Sequence, residues 1–244
     1  MSFASFVSAL TQAAYPPCCL LCSQRMADAD AALCPACERG MPRLQPPFCQ
    51  RCGVSQPGPW DAAAWCQRCR RTPLAFASAR APFVYAGAAR EAIHAFKYRR
   101  HHRLGRWLAA RMASVARQQM PISEVDAVLS VPMHWLKRRW RGQHSCALLA
   151  HTVAANLDRP YLPRALARTR WTPAQTALSP AQRFRNAAGA FTASRLRARR
   201  VLLVDDVVTS GATAHACATA LRHAGVETVW VVAAAITPPP RTRA

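Results

Sequence analysis

The segment with the clearest potential for chemistry is residues 201–213, where four apolar residues run into two adjacent acids and a short polar turn. Asp205 and Asp206 repel each other, so the pair needs donors or a cation beside it, which ribose hydroxyls and a bound Mg²⁺ would supply. The turn combines backbone N–H groups at a helix N-terminus with three hydroxyl side chains, which suits a phosphate dianion. We therefore expect a sugar phosphate here, with its phosphate in the turn and its diol on the acids. The turn consists of Thr209, Ser210, Gly211, Ala212 and Thr213.

The flanking sequence predicts a strand and a helix that would position this loop. Residues 201–204 form an unbroken apolar run, which is typical of a parallel strand buried on both faces. Residues 214–221 carry apolar side chains at helical spacing, and Gly225 is placed to end that helix. Open α/β sheets bind ligands beyond the carboxyl ends of their strands. A simpler interpretation, that Asp206 ends a strand and Thr213 caps a helix, accounts for one acid and one hydroxyl only.

The complete run of residues 201–213 resembles the phosphoribosyl-diphosphate (PRPP) binding motif of type I phosphoribosyltransferases. This resemblance implies an α/β domain with a Rossmann-type parallel sheet and helices on both faces. It also implies that Asp205 and Asp206 are the catalytic acids, that residues 209–213 bind the 5′-phosphate, and that PRPP binds together with Mg²⁺.

Eight cysteines near the N-terminus form four C-x-x-C pairs. Two such pairs make a tetrahedral Cys₄ site, so eight thiolates suit two structural zinc ions. The intervening segments are rich in proline and lack periodic apolar residues, so metal binding would supply folding free energy that core burial cannot. A disulfide framework is the alternative, and it is disfavoured where no secretion signal is evident. The predicted ligands are Cys19, Cys22, Cys34, Cys37, Cys49, Cys52, Cys66 and Cys69.

The spacing leaves open which pairs share an ion. Joining the first pair with the second and the third with the fourth suits a double zinc ribbon, whereas a cross-brace joins the first with the third. Cys18 is a spare that could replace Cys19. Cys146 and Cys217 lie on apolar helical faces and are expected to be inert core thiols.

The middle of the chain supplies the remaining elements and candidate cations. We expect strands over 79–85, 125–131 and 228–236, a helix over 91–117, and a polar lid over 172–186. The basic loop at 134–142 follows a strand and contains two tryptophans, which could stack on single-stranded bases or simply pack within the domain. Without a family resemblance, the sequence favours Lys97 as a surface lysine whose stem covers apolar area over a diphosphate contact. The candidate diphosphate ligands are Lys97, Lys137 and Arg141.

The chain of 244 residues has 33 Lys+Arg against 11 Asp+Glu, a formal net charge of +22. Such a charge favours polyanionic partners such as diphosphates, nucleotides or nucleic acid, although an arginine-rich composition can also reflect genomic base bias. We predict three regions: residues 1–77 as an N-terminal helix and double zinc-ribbon module, 78–237 as the phosphoribosyltransferase-like domain, and 238–244 as a tail. Because the first 17 residues lack a basic signal region and no long apolar run follows, we expect a cytoplasmic location without membrane insertion.

The order of these motifs is similar to that of the ComF family of competence-associated, phosphoribosyltransferase-like proteins. The four C-x-x-C pairs come first, the Lys97 segment and residues 132–142 follow, and the 172–191 stretch and the Asp205–Thr213 motif come last. This resemblance implies a bacterial protein of natural transformation that acts on incoming single-stranded DNA or on nucleotides derived from it. It also implies a helicase-like ATPase or other DNA-processing proteins as partners.

One segment departs from the family pattern. Residues 141–145 read Arg-Gly-Gln-His-Ser, where the family usually has Arg-Gly-Phe-Asn-Gln. If this loop holds diphosphate, its geometry or acceptor preference differs here. The residues therefore support two functions: phosphoribosyl transfer on PRPP, or a non-catalytic component that binds single-stranded DNA or acts as an adaptor and retains a PRPP-type site.

Overall fold

The computed structural model describes residues 16–56, 58, 61, 64–99, 101–133, 145–170 and 179–238. Its central feature is a parallel sheet with strand order β1-β7-β6-β3, in which β2 also pairs with β7. A separate antiparallel hairpin joins β4 to β5. The strands are β1 Ser78–Arg80, β2 Phe83–Val84, β3 Ala127–Ser130, β4 Leu166–Arg168, β5 Phe191–Ala193, β6 Arg200–Val208 and β7 Thr228–Ile236. The α-helices are α1 Pro35–Arg39, α2 Gln67–Arg71, α3 Gly87–Arg99, α4 His102–Gln119, α5 Ser145–Leu157, α6 Pro180–Ala187 and α7 Ala212–His223.

The central strands β6 and β7 are buried on both faces of the sheet, as their continuous apolar sequences predict. Val201 and Leu203 pack into one core, whereas Leu202 and Val204 pack into the other. This alternation follows from the two-residue period of a strand. Buried residues of α3, α4 and α5 cover one face, and buried residues of α7 cover the other. The predicted fold class, a parallel α/β sheet with helices on both faces and an N-terminal cysteine-rich module, is confirmed.

The cysteine-rich module contributes to both cores. Cys19 and Cys34 pack with the α3–α5 face, while Cys49, Cys52 and Cys69 pack with the α7 face. The thiols are thus buried against the sheet domain itself. The division of the chain at residues 77 and 78 stays a prediction, as does the tail.

Two predicted elements are each divided in the structure. The strand expected over 79–85 is split into β1 and β2 around Pro82, which has no backbone N–H to donate to the ladder. The helix expected over 91–117 is two helices, α3 and α4, although its expected inward residues are all buried. The segment between them is dense in cations and offers nothing apolar to bury. Those inward residues are Ile93, Phe96, Leu104, Leu108 and Met112.

Part of the expected lid is helical. Ser179 and Gln182 form a capping box at the start of α6, in which the Ser179 hydroxyl accepts from the Gln182 amide and the Gln182 side chain accepts from the Ser179 amide. The first residues of that lid, the predicted N-terminal helix up to residue 15, and the whole 134–142 loop with Lys137 and Arg141 lie outside the described residues. Within the described part of the chain, we find no helix with the length and apolarity needed to cross a membrane.

The contact between α3 and α4 yields a prediction whose sign distinguishes packing from helix propensity. A Cβ on Gly105 would lie 2.4 Å from Cε2 of the Phe96 ring, which is fully buried. We therefore expect Gly105→Ala to lower stability by about 1–3 kcal/mol through overpacking. Helix propensity alone would give a gain of about 1 kcal/mol. Thermal or denaturant unfolding measures the difference, and the double variant Phe96→Leu/Gly105→Ala should recover part of the loss. A more stable Gly105→Ala protein would contradict this packing.

Candidate functional site

The two acids lie where β6 extends beyond its neighbour β3. Ser130 of β3 pairs with Val204, the last pairing on that side, whereas β6 continues to pair with β7 as far as Val208. Asp205 and Asp206 are therefore part of the strand and lie past the carboxyl end of β3. The sequence had suggested that the strand ends at residue 204. The longer strand is explained by its second neighbour, which holds the backbone extended through both acids.

Asp205 is buried, with 8% of its surface exposed. Its Oδ1 accepts a hydrogen bond from the Asp206 backbone amide at 2.8 Å and one from the Cys146 thiol at 3.7 Å. Burial, together with the neighbouring Asp206 carboxylate, raises the pKa of Asp205 to about 7, against the opposing effects of the Asp206 amide and Lys97. The carboxyl is therefore poised between its neutral and charged forms near neutral pH.

Asp206 forms an ion pair with Lys97 of α3, with 2.7 Å between Lys97 Nζ and Asp206 Oδ2. Both side chains are less than one-fifth exposed. Burial alone would lower the pKa of Lys97, but the Asp206 carboxylate outweighs it and raises that pKa. Lys97 is thus a charged partner of the acids at the site, neither a freely solvated lysine nor distant from them. Its assignment to diphosphate stays a prediction.

The turn after β6 begins α7 in the manner expected of a phosphate loop. Gly211 is the N-cap of α7 and has a φ of +82°, a left-handed conformation that favours glycine. A Cβ there would meet the Phe76 and Leu74 side chains at ordinary contact distances of 3.6 and 3.7 Å, so backbone conformation, more than space, selects glycine. Thr213 lies inside the helix and is not its cap. The Ser210 hydroxyl accepts from the Ala212 amide at 3.4 Å.

One cavity of about 340 Å³ joins the acids and the turn. Asp205, Asp206, Lys97, Thr209 and Thr213 all line it, so five of the residues singled out from the sequence converge on one space. The cavity opens at the carboxyl end of the sheet, where ligands bind in open α/β folds. Its cationic lining among the described residues consists of Lys97, Arg168 and Arg183.

The cavity also includes residues that were not identified as site residues from the sequence, among them Tyr85, Cys146 and Arg168. Tyr85 follows β2 and Arg168 ends β4, so each lies at a strand terminus, which is the signal that could have found them. Cys146 was interpreted as an inert core thiol. It is buried as expected, but it also bonds Asp205, because the start of α5 lies against the acids. Cys217 is fully buried on α7.

The eight predicted zinc ligands form two clusters. Within each, the four sulfur atoms lie within 4.8 Å of one another, an arrangement suited to tetrahedral Zn²⁺. The clusters join the first C-x-x-C pair with the second and the third with the fourth, which resolves the pairing in favour of sequential zinc ribbons. Cys18 belongs to neither cluster, and its thiol donates to the Pro16 carbonyl at 3.3 Å. The clusters are Cys19, Cys22, Cys34 and Cys37, and Cys49, Cys52, Cys66 and Cys69.

Asp205 and Asp206 could supply some, but not all, of the ligands of a Mg²⁺ ion. Their oxygens are the hard ligands that Mg²⁺ prefers. However, Asp205 Oδ1 and Asp206 Oδ2 already accept from protein donors. The two carboxylates would therefore supply only part of the ligand set of a Mg²⁺ ion.

Comparison with known proteins agrees with the order of motifs along the chain. A family model described as a double zinc ribbon domain matches residues 10–70. Over 221 residues the chain is 29% identical to the DNA utilization protein YhgH of Escherichia coli K12, covering 88% of this chain and 95% of that protein. Over 220 residues it is 27% identical to Competence protein F of Haemophilus influenzae, covering 87% and 94%. The resemblance inferred from the sequence is confirmed: these are homologues, and the N-terminal module is a double zinc ribbon.

Solved structures were also compared. Glutamine PRPP amidotransferase from B. subtilis has a TM-score of 0.35 at 25% identity, covering 52% of this chain and 25% of that one. Orotate phosphoribosyltransferase from Aeropyrum pernix has a TM-score of 0.31 at 18% identity, covering 53% and 70%. These scores are too low to define the fold, which follows from the strand order and the placement of the helices.

The burial of Asp205 makes a prediction about stability and pH. Because the folded pKa of about 7 lies above the ordinary value of 3.8, the unfolded chain releases this proton at lower pH than the folded chain does. The contribution of this group to stability is thus complete below pH 4 and is lost as the pH rises to 7. We expect the Tm of Asp205→Asn, relative to wild type, to rise by about 5 °C between pH 5 and pH 8 and then level off.

Asp158→Asn is the matched control, since Asp158 is exposed and its left-handed backbone also suits asparagine. Its Tm difference from wild type should not change over the same range. A pH-independent difference for Asp205→Asn would show that this carboxyl titrates normally.

The two clusters predict a zinc content of two ions per chain, measured by plasma mass spectrometry on purified protein. Cys18→Ser should retain both ions, because its thiol is outside the clusters. Cys19→Ser should lose about one, since three thiolates bind Zn²⁺ far more weakly than four. The reverse pattern would exchange the assignments of Cys18 and Cys19.

Proposed function

We propose that this protein, a homologue of competence and DNA utilization proteins, binds PRPP with Mg²⁺ and catalyses phosphoribosyl transfer or its reverse. The observation that carries the proposal is the single cavity lined by two adjacent carboxylates, a lysine and the glycine-capped turn at the start of α7. This arrangement offers complementary groups to each part of PRPP. The carboxylates would bind the diol, the turn would bind the 5′-phosphate, and the cations would bind the diphosphate.

The 5′-phosphate would occupy the turn of residues 209–213. The first turn of a helix leaves backbone N–H groups without intrahelical partners, and its dipole favours an anion. Gly211 has the left-handed conformation that is found in anion-binding turns. Fixing the phosphate and the diol at once would hold the ribose in one orientation for reaction.

The acids would bind the ribose and stabilise its transition state. Transfer breaks the bond from ribose C1 to a diphosphate oxygen, the electron pair leaves with the diphosphate, and an acceptor nitrogen forms the new bond and gives up its proton. The ribose develops positive charge on the way, which nearby carboxylates stabilise. Asp205, whose pKa is raised to about 7, can donate to or accept from a hydroxyl near neutral pH. Mg²⁺ would neutralise charge on the departing diphosphate.

The cations would hold the diphosphate. Lys97, Arg168 and Arg183 line the cavity within the described residues, and Lys137 and Arg141 are further candidates from the sequence. Arginine suits this task because its planar fork binds phosphate oxygens in pairs. We propose a cytoplasmic location and, as partners, single-stranded DNA and a helicase-like ATPase or other DNA-processing competence proteins.

A second candidate function is non-catalytic binding of single-stranded DNA by a protein that keeps its PRPP-type site as a sensor. The formal charge of +22 favours this alternative, as do the names of the homologues. Binding to nucleic acid through many arginines would weaken steeply with added salt.

The decisive experiment is a calorimetric titration of PRPP with Mg²⁺ into the purified protein. We expect saturable heat for the wild type and at least a tenfold loss of affinity for the Asp205→Asn/Asp206→Asn double variant, because about 1.4 kcal/mol of lost binding gives that factor. Asp158→Asn removes one carboxylate on the exposed surface and should bind as the wild type does.

Absence of heat from the wild type would remove the PRPP proposal. Wild-type binding without diphosphate release in the presence of any nucleobase, combined with salt-dependent affinity for single-stranded DNA, would favour the sensor function.

A further inference from the structure

The second cysteine cluster has a feature that the first cluster lacks. Both of its C-x-x-C pairs have the sequence Cys-Gln-Arg-Cys, so Arg51 and Arg68 occupy the same position in the two pairs. The corresponding positions of the first cluster are Leu21 and Ala36. The contacts of the two arginine side chains indicate that both residues have the same role.

Arg68 reaches the turn that follows β6. Its Nη1 donates to the backbone carbonyl of Thr209 at 3.4 Å, across 141 residues of sequence. Because Arg68 directly precedes Cys69 in α2, its backbone is fixed by the cluster. The side chain is partly buried, so this hydrogen bond is sheltered from water.

Arg51 contacts residues 74–76, which lie next to the same turn. Its Nη1 donates to the carbonyl of Leu74 at 3.3 Å and to that of Phe76 at 2.5 Å. The Leu74 and Phe76 side chains lie within ordinary contact distance of the position that a Cβ on Gly211 would take. The arginine therefore fixes the backbone whose side chains support Gly211.

A third contact connects residues 74–76 to α7. The Ala75 amide donates to His215 Nδ1 at 3.0 Å, and the His215 amide donates to the Gly211 carbonyl at 2.8 Å. The His215 ring in turn packs edge to face against Phe184 of α6, with 5.5 Å between centroids. Hydrogen bonds thus connect the turn to the second cluster through Arg68, and connect residues 74–76 both to that cluster through Arg51 and to α7 through His215.

We propose that Arg51 and Arg68 are positioning residues that transmit the fold of the second cysteine cluster to the phosphate loop, residues 209–213. This rests on the proposed function in assigning phosphate to that loop, but the coupling itself does not require the ligand. Neither arginine lines the cavity, so each acts through the backbone it holds. It follows that the second zinc ribbon is needed for ligand binding, although it lies outside the site.

The test compares Arg68→Ala with Arg71→Ala. Both changes remove one positive charge from α2, but Arg71 is exposed. The first readout is hydrogen exchange of the backbone amides in residues 209–212 without ligand. We expect Arg68→Ala to exchange about five- to tenfold faster there than the wild type, as the loss of one sheltered hydrogen bond allows, and Arg71→Ala to match the wild type. Zinc content should stay at two ions in both variants.

The second readout is the Kd for PRPP with Mg²⁺, which we expect Arg68→Ala to raise about five- to tenfold and Arg71→Ala to leave unchanged. If Arg68→Ala loses zinc, Arg68→Gln, which keeps a polar stem, takes its place in both measurements. Unchanged exchange in the loop would overturn the coupling whether or not PRPP binds. Faster exchange in a protein whose wild type gives no PRPP heat would support the coupling and overturn the proposed function, so the two failures are distinct.

Discussion

The placement of two adjacent carboxylates in a buried strand is the constraint on which the site depends. Such a pair is electrostatically costly, because burial disfavours each charge and the charges repel each other. The structure offsets this in two ways: Asp205 keeps its proton up to about pH 7, and Asp206 forms an ion pair with Lys97. Both solutions require that β6 extends past β3 and that α3 and α5 converge on its end. The positions of these elements are thus linked to the charge state of two side chains.

The zinc ribbons stabilise the sheet domain as well as themselves. The first cluster packs into the core on the α3–α5 face and the second into the core on the α7 face, so the N-terminal module covers the sheet from both sides. The close approach of the two parts is visible at Gly53, where a Cβ would lie 2.2 Å from the Ala79 carbonyl oxygen. Its left-handed φ of +71° also requires glycine.

The sequence predicted those features that depend on local chemistry. The strand over 228–236, the acids, the glycine turn and the four cysteine pairs could be read from residue type and spacing, because each is specified within a few positions. Prediction from the sequence failed where contacts between residues far apart in the chain determine the structure. The extension of β6 depends on its pairing with β7, and the role of Cys146 depends on the approach of α5 to Asp205. The cluster pairing was equally open, since spacing fits both ribbons and a cross-brace.

The ion pair between Lys97 and Asp206 bears on which ligands the site would accept. A sugar diol that donates hydrogen bonds to Asp206 would share this carboxylate with Lys97, whose Nζ lies 2.7 Å from Oδ2. A lysine buried to this extent cannot be left without an anion, because its desolvation would be uncompensated. A ligand that brings its own anion next to the diol would give Lys97 a second anionic partner. PRPP does this through its diphosphate, whereas ribose 5-phosphate carries its only anion at the far end of the sugar. The position of Lys97 beside Asp206 would therefore favour a ligand carrying diphosphate at C1 over one without it.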